Sequence, residues 1–435
     1  MPTIFARHAL LPDGWTDDVA VEIAEDGTIA AVMPCAPGPG GPPLLLLPAP
    51  GNLHSHTFQR AMAGMTEHRG ASADSFWTWR VLMYRFLDQL TPEDVEAIAA
   101  LAFVEMQESG FAAVAEFHYL HHAPGGVGYD DPAELAARIF AAAVETGIGL
   151  THLPVFYAYG GVGGADLAGG QLRFGCDLAR FGALFAATET AARALPADAR
   201  LGVAPHSLRA VTPETLAALL AAHPAGPVHI HAAEQLQEVA DVDSRWCLIH
   251  ATQMTPAETG ALARSGAVAG LCPVTEANLG DGIFDGPRFL AAGGVLGVGT
   301  DSNVRISLPE ELRQLEYSQR LRERARNVML TGPGSVGAAL HARACAGGAP
   351  ALGRASGAIR PGLLADLLTL DADHLAFVGL ARDRWLDAWI FGRADGALRE
   401  LWSAGRLSVH DGRHVARDRI AARYRATLRA LADRL

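Results

Sequence analysis

The stretch LLLLPAPGNLHSH, residues 44–56, decides how the rest of the chain is read. It is an apolar run that turns polar at its end, as a buried strand does when it delivers side chains to a barrel mouth. Side chains alternate along a strand with period two, so His54 and His56 fall on one face and can grip one ion. Alone, an HxH pair is weak evidence and reads more readily as two core-satisfied or exposed histidines. Its weight comes from repetition further along the chain.

Seven more apolar segments follow: FAAVAEFHYL (111–120), GIGLTHLPVF (147–156), LGVAPHS (201–207), PVHIHAAE (227–234), RWCLIHAT (245–252), AVAGLCPV (267–274) and VLGVGTDS (295–302). Helical runs such as TPEDVEAIAALAFVEMQESG (91–110) and TPETLAALLAAH (212–223) separate most of them. Eight strands in series with helices predict an α/β protein whose centre is a closed, TIM-like (β/α)8 barrel. Most of these strands end in a chemically capable residue: His54/His56, His118/Tyr119, His206, His231/Glu234, His250 and Asp301. In a barrel such ends converge at the C-terminal mouth.

The flanks read differently. VAVEIAEDGTIAAV (19–32) predicts a hairpin, CAPGPGGPP (35–43) a loop, and RPGLLADLLTLD (360–371) and the segment 385–415 further strands. The expected organisation is a small β-sandwich built from residues 1–48 and 359–415, a barrel over 49–358, and a helix over 416–435. At 435 residues, half of them hydrophobic, the chain is long enough for both cores.

The net charge of −12 argues against a nucleic-acid partner, whose binders are usually basic. The apolar stretches are too short to span a bilayer, and MPTIFARHALLPDG has no apolar leader, so no membrane or secretory role is expected. A cytoplasmic homodimer is the expected setting. Cys35, Cys176, Cys247, Cys272 and Cys345 are scattered without a CxxC and read as buried free thiols. All 35 basic residues are Arg; the chain has no Lys.

His231 closes PVHIH nearest the mouth and is the expected ligand, with His229 on the same face deeper inside. Asp301 closes VLGVGTD; an Asp there either meets a cation or imidazole that compensates its buried charge, or caps a helix. His54, His56, His231 and Asp301 together suit Zn2+, with Fe2+ or another late divalent ion as the alternative.

HxH on the first strand, His on the fifth and sixth and Asp on the eighth resembles the amidohydrolase superfamily. Many of its two-metal members bridge the ions with a carboxylated Lys on the fourth strand. Here that strand ends APHS and no Lys exists, so the resemblance is to the single-metal deaminase branch. NLHSHTFQRAMAG (52–64), FWTWR (76–80), EFHYLHH (116–122), APHSLRAV (204–211), HIHAAEQ (229–235), RWCLIHAT and LCPVTEANLGDGIFD (271–285) narrow it. They resemble the formimidoylglutamate deiminase family over nearly the whole chain.

That resemblance implies hydrolytic deamination of N-formimino-L-glutamate, a small dianion, in histidine degradation. It implies Glu234 as the group that protonates the imino nitrogen, and His250 with Asp301 as the holder of the attacking water. It places Gln59 near the formimino group, and Arg80, Tyr119, His206 and Arg209 around the carboxylates. Arg60 and Arg305 fall near the mouth without an assigned role. One departure stands out: only ADVDS (240–244) separates AAEQLQEV from RWCLIHAT, where the family has a longer segment. The alternative is another single-metal deaminase acting on guanine, cytosine or another amidine; arginines at HSLR and WTWR favour an acidic, flexible substrate. A barrel that has lost its chemistry would lack a ligand or Glu234, and none is missing.

Overall fold

The computed structural model describes residues 2–35, 43–67, 76–161, 163–232 and 242–434. The barrel strands are Gly51–Ser55, Ala113–His118, Gly149–Phe156, a fourth in two short pieces (Arg200–Leu201 and Ala204–Pro205), Val228–Ala232, Trp246–His250, Val268–Leu271 and Val295–Val298. Strands one to four pair in parallel, as do five to eight. Two seams close the ring: Val203 with Val228 and Ser207 with His231 join four to five, and Ser55 with Asp301 joins eight to one. At the second seam His56 N–H donates to Asp301 O, and Asp301 N–H to His54 O, both at 2.9 Å. Gly299 makes this approach feasible, since a Cβ there would sit 2.7 Å from the His54 backbone nitrogen.

Local sequence sets the covering helices. Pro92–Ser109 starts in a capping box between Thr91 and Asp94 and stops at Gly110, whose φ of 112° is left-handed. Pro213–Ala222 is capped in the same way by Thr212.

A second sheet collects both ends of the chain. Its strand order is Arg413–His414, Arg406–His410, Leu398–Ser403, Leu367–Asp371, Leu44–Pro48, Thr3–Leu11, Gly14–Ile23, Ile29–Pro34, one continuous path around a small core of Ile4, Val21, Ile29, Leu46 and Leu367. The opening run 44–56 therefore serves two sheets. Pro48 and Pro50 lack the N–H a ladder needs, and the chain changes sheets between them.

Two readings of the flanks change. Asp383–Phe391 is a helix where strand was expected; it buries Trp385, Leu386, Trp389 and Ile390, a helical spacing that the turn signals around it obscured. Four cysteines are buried and free, but Cys35 is partly exposed. The expected loop at 35–43 lies mostly outside the described residues. The C-terminal helix is Arg417–Ala432, and among the described residues no helix is long and apolar enough to cross a membrane.

A buried ion cluster ties barrel to sheet. Arg354, with a side chain 1% exposed, donates to Asp198 at 2.9 Å and to both oxygens of Asp366 at 3.1 Å, while Arg406 grips Asp198 from the sheet side. Removing the guanidinium takes away the cation that buried Asp366 faces and leaves Asp198 with Arg406. Arg354→Met should lower unfolding stability by about 3–5 kcal/mol, read as a shift in the urea midpoint. A loss under about 1 kcal/mol, the scale of an exposed pair, would show that the cluster is solvated and dispensable.

Candidate metal centre and active site

Inside the mouth three imidazole nitrogens meet. His54 Nε2 lies 3.2 Å from His56 Nε2 and 3.1 Å from His231 Nε2. The far nitrogens show which way the rings point: His56 Nδ1–H donates to Phe117 O at 2.9 Å and His231 Nδ1–H to His206 O at 3.0 Å. The protons are committed outward, so the Nε2 lone pairs face one another. Burial holds all three rings in the neutral form; it lowers His56 to about 3 and, with the neighbouring imidazoles, keeps His54 and His231 well below the usual histidine range. Converging lone pairs repel unless a cation lies between them, and zinc–nitrogen bonds of about 2.0–2.1 Å match this spacing.

Asp301 supplies the carboxylate. Its Oδ1 is 3.3 Å from His56 Nε2 and 3.7 Å from His54 Nε2; its Oδ2 is 3.4 Å from His250 Nε2. It is not a helix cap, because Ser307 caps the helix Leu308–Glu323 that follows. Its backbone is left-handed at φ 44°, and the turn is held by Asn303, which donates to Ser55 Oγ, His56 O and Asp301 O. Thr300 bonds both Asn303 and Asn52, so strands one and eight share one buried polar network. The donor set fits a single divalent ion.

A cavity of about 550 Å3 opens above this cluster. His56, His231, His250 and Asp301 line its floor; Gln59, Arg80, Tyr119, His206 and Arg209 line its walls. Gln59 donates to Tyr119 Oη at 2.7 Å, and Arg80 lies 5.5 Å over the Tyr84 ring. Burial first, then the fields of Arg209 and Arg80, hold His206 well below its usual range, so it is a neutral donor–acceptor. His229 lies deeper, bonded to Ala351 O at 2.7 Å.

Other expected residues fall elsewhere. His118 packs against the rings of His152 and His121, while the next residue, Tyr119, enters the cavity. Arg60 pairs with Glu105, and Arg305 is exposed beside Glu310 at 3.7 Å. Glu234 lies outside the described residues. Tyr84, Tyr157 and Asp281 also line the cavity, and Glu276 bonds His250; none was singled out from sequence. Tyr84, Glu276 and Asp281 sit on helices and loops and carried no strand-end signal, whereas Tyr157 stands one residue past the third strand, as Tyr119 does past the second, and could have been found by the same rule.

With a histidine–aspartate cluster at a barrel mouth, the protein is a metal-dependent hydrolase by class, and it belongs to the amidohydrolase family, whose model matches residues 45–407. A second family model, that of the formimidoylglutamate deiminase HutF N-terminal domain, matches residues 1–41. The chain is 48% identical to the formimidoylglutamate deiminase of Pseudomonas aeruginosa over all of both proteins. That alignment is longer than this chain, so the relative has positions absent here. The 8-oxoguanine deaminase of the same organism is 29% identical over 94% of each. Among solved structures, an amidohydrolase from Brucella melitensis is 46% identical with a TM-score of 0.93, covering 99% of this chain and all of that one. A zinc-bound adenosine deaminase from Xanthomonas campestris, 22% identical, shares the fold with a TM-score of 0.78 over 99% of this chain and 98% of its own.

The geometry predicts one tightly held ion per chain. His54→Ala or Asp301→Ala should lower both metal content and activity, read by elemental analysis beside an assay. Two equivalents of tightly held metal in the native protein, or full activity after exhaustive chelation, would overturn the single-ion site.

Proposed function

We propose that the chain hydrolyses N-formimino-L-glutamate to N-formyl-L-glutamate and ammonia, in the cytoplasm, as a step of histidine degradation. One observation carries this reading: a single cavity has His56, His231 and Asp301 on its floor, with His54 beneath them against His56 and His231, and Arg80 and Arg209 on its wall. The floor suits hydrolysis of an amidine; the wall suits two carboxylates, which planar guanidinium groups bind bidentately. The 48% identity to a formimidoylglutamate deiminase supports the same choice over a purine or pyrimidine substrate.

His54, His56, His231 and Asp301 would hold the ion, zinc or alternatively iron(II). When bound, it supplies Lewis-acid activation of water. The chain does the rest. Tyr119, His206, Arg80 and Arg209 fix the carboxylates, and Gln59 orients the formimino group. His250 and Asp301 hold the attacking water and receive its proton. Water oxygen bonds to the formimino carbon. Glu234 delivers a proton to the terminal imino nitrogen, leaving a tetrahedral carbon; the new hydroxyl then gives up its proton, which reaches the same nitrogen through these groups, and that carbon–nitrogen bond breaks as the carbonyl forms. Ammonia leaves, and the nitrogen on the glutamate stays acylated as the formyl amide. The homodimer expected from the sequence adds nothing that this scheme requires.

Two substitutions test the scheme. Glu234→Gln should lower kcat by roughly two to four orders of magnitude with metal retained, the range for general acid–base catalysis. Near-native kcat in that variant would remove Glu234 from the chemistry. Charge-assisted hydrogen bonds contribute about 1.5–3 kcal/mol each, so Arg209→Met should cost roughly ten- to a hundredfold in kcat/KM for the dianion. A neutral formamidine should lose little. Equal losses on both substrates would mean that Arg209 supports the fold and does not read the carboxylate.

A further inference from the structure

The mouth histidines differ in what holds the nitrogen that faces away from the centre. For His56 and His231 it is a backbone carbonyl. For His250 it is a carboxylate: Nδ1 lies 3.3 Å from Glu276 Oε1. We infer that Glu276 is a positioning residue for the hydrolysis, fixing Nδ1 as the protonated nitrogen of His250 and turning Nε2 to Asp301. The inference rests on the proposed part of His250 in handling the attacking water.

Three observations carry it. First, His250 needs an external hold. It and Ala251 both have left-handed backbones, φ 69° and 52°, so the pleat of the sixth strand does not set the ring's direction. The ring also borders the open cavity on one side. Second, Glu276 is itself held. Its Oε1 accepts the Cys272 backbone N–H at 2.8 Å, and the turn that carries it is pinned from behind by the buried Glu311, which accepts from Val274 N. Third, the chain of contacts is continuous: Glu276 Oε1 to His250 Nδ1, then His250 Nε2 to Asp301 Oδ2 at 3.4 Å. A base oriented by a carboxylate on its far nitrogen keeps one tautomer, and an amide in the carboxylate's place can stabilise the other.

The competing role is a cap on the short helix Pro273–Leu279, through the Cys272 N–H. A double-mutant cycle on the metal-loaded protein separates the two, with N-formimino-L-glutamate as substrate. Glu276→Gln keeps an acceptor for that N–H, so the helix should stand. We expect its kcat to fall about a hundredfold, at the lower end of general acid–base effects, with KM and metal content near native. In a His250→Asn background the same change should alter kcat by no more than about twofold, because the group it acts through is gone. Should the amide lower the thermal midpoint, Glu276→Asp enters the same cycle with the same expected non-additivity. Losses that multiply across the cycle, or a Glu276→Gln enzyme with near-native kcat, overturn the inference. A His250→Asn enzyme with native kcat, or wild-type protein that releases no ammonia from this substrate, shows instead that the underlying reading fails.

Discussion

The pairing of the last barrel strand with the first is the contact on which the rest depends. Ser55 bridges Asp301, and reciprocal backbone bonds at 2.9 Å lock His54 and His56 to the Asp301 carbonyl and amide. The same bonds close the barrel and bring two imidazoles and a carboxylate into one cluster. Strand register is discrete: a slip of one residue would turn His54 and His56 away from the centre together. The barrel closure and the His54–His56–Asp301 part of the candidate metal centre therefore share one alignment, and the buried Asn52–Thr300–Asn303 network spans it.

Charge is arranged on the same plan. The chain as a whole carries −12, which repels a dianion, so attraction must come from close range. Under the proposed function Arg80 and Arg209 on the cavity wall would provide it, and their fields reach Tyr84, Tyr157 and His206. The floor is handled by burial. Desolvation keeps the ligand histidines neutral and raises Asp301 to about 6, against the opposing pull of His250. Groups that would carry charge in water are thus held ready for a cation that makes their charge and lone pairs useful.

How much of this the sequence discloses follows from what period-two alternation can encode. A residue ending an apolar strand has its direction set by the pleat, so His54, His56 and His231 were legible one by one, while His250 and Asp301 were legible only as strand ends, because their left-handed backbones take them off the pleat. The rule fails by one residue at the second strand: His118 and Tyr119 both look terminal, and only the parity set by Phe117, whose ring packs on His54 and His231, sends Tyr119 inward and His118 outward. It is silent on Glu276, which reaches His250 from a helix, five residues beyond Leu271 at the end of the seventh strand. It also misreads residues 383–391, where Gly392 and the DG turns mask a helical spacing of tryptophans. The missing lysine needed no geometry at all.

The backbone adds a last constraint. His250, Ala251, Asp301 and Asn303 all take positive φ without being glycine, and they lie at the ends of the sixth and eighth strands, around the cavity floor. Such conformations are disfavoured by about 1–3 kcal/mol each and persist only where the surroundings over-determine them. Relaxing them would return His250 and Asp301 to ordinary strand directions and separate Nε2 from Oδ2. The supporting bonds are all on the far side from the cavity: Asn303 beneath Asp301, and Glu276, itself fastened to Cys272, behind His250. That leaves the facing atoms of both residues at the cavity. A mouth strained in this way can be stable only on a rigid frame, which is what a barrel closed at both seams and tied to its satellite sheet through Arg354 provides.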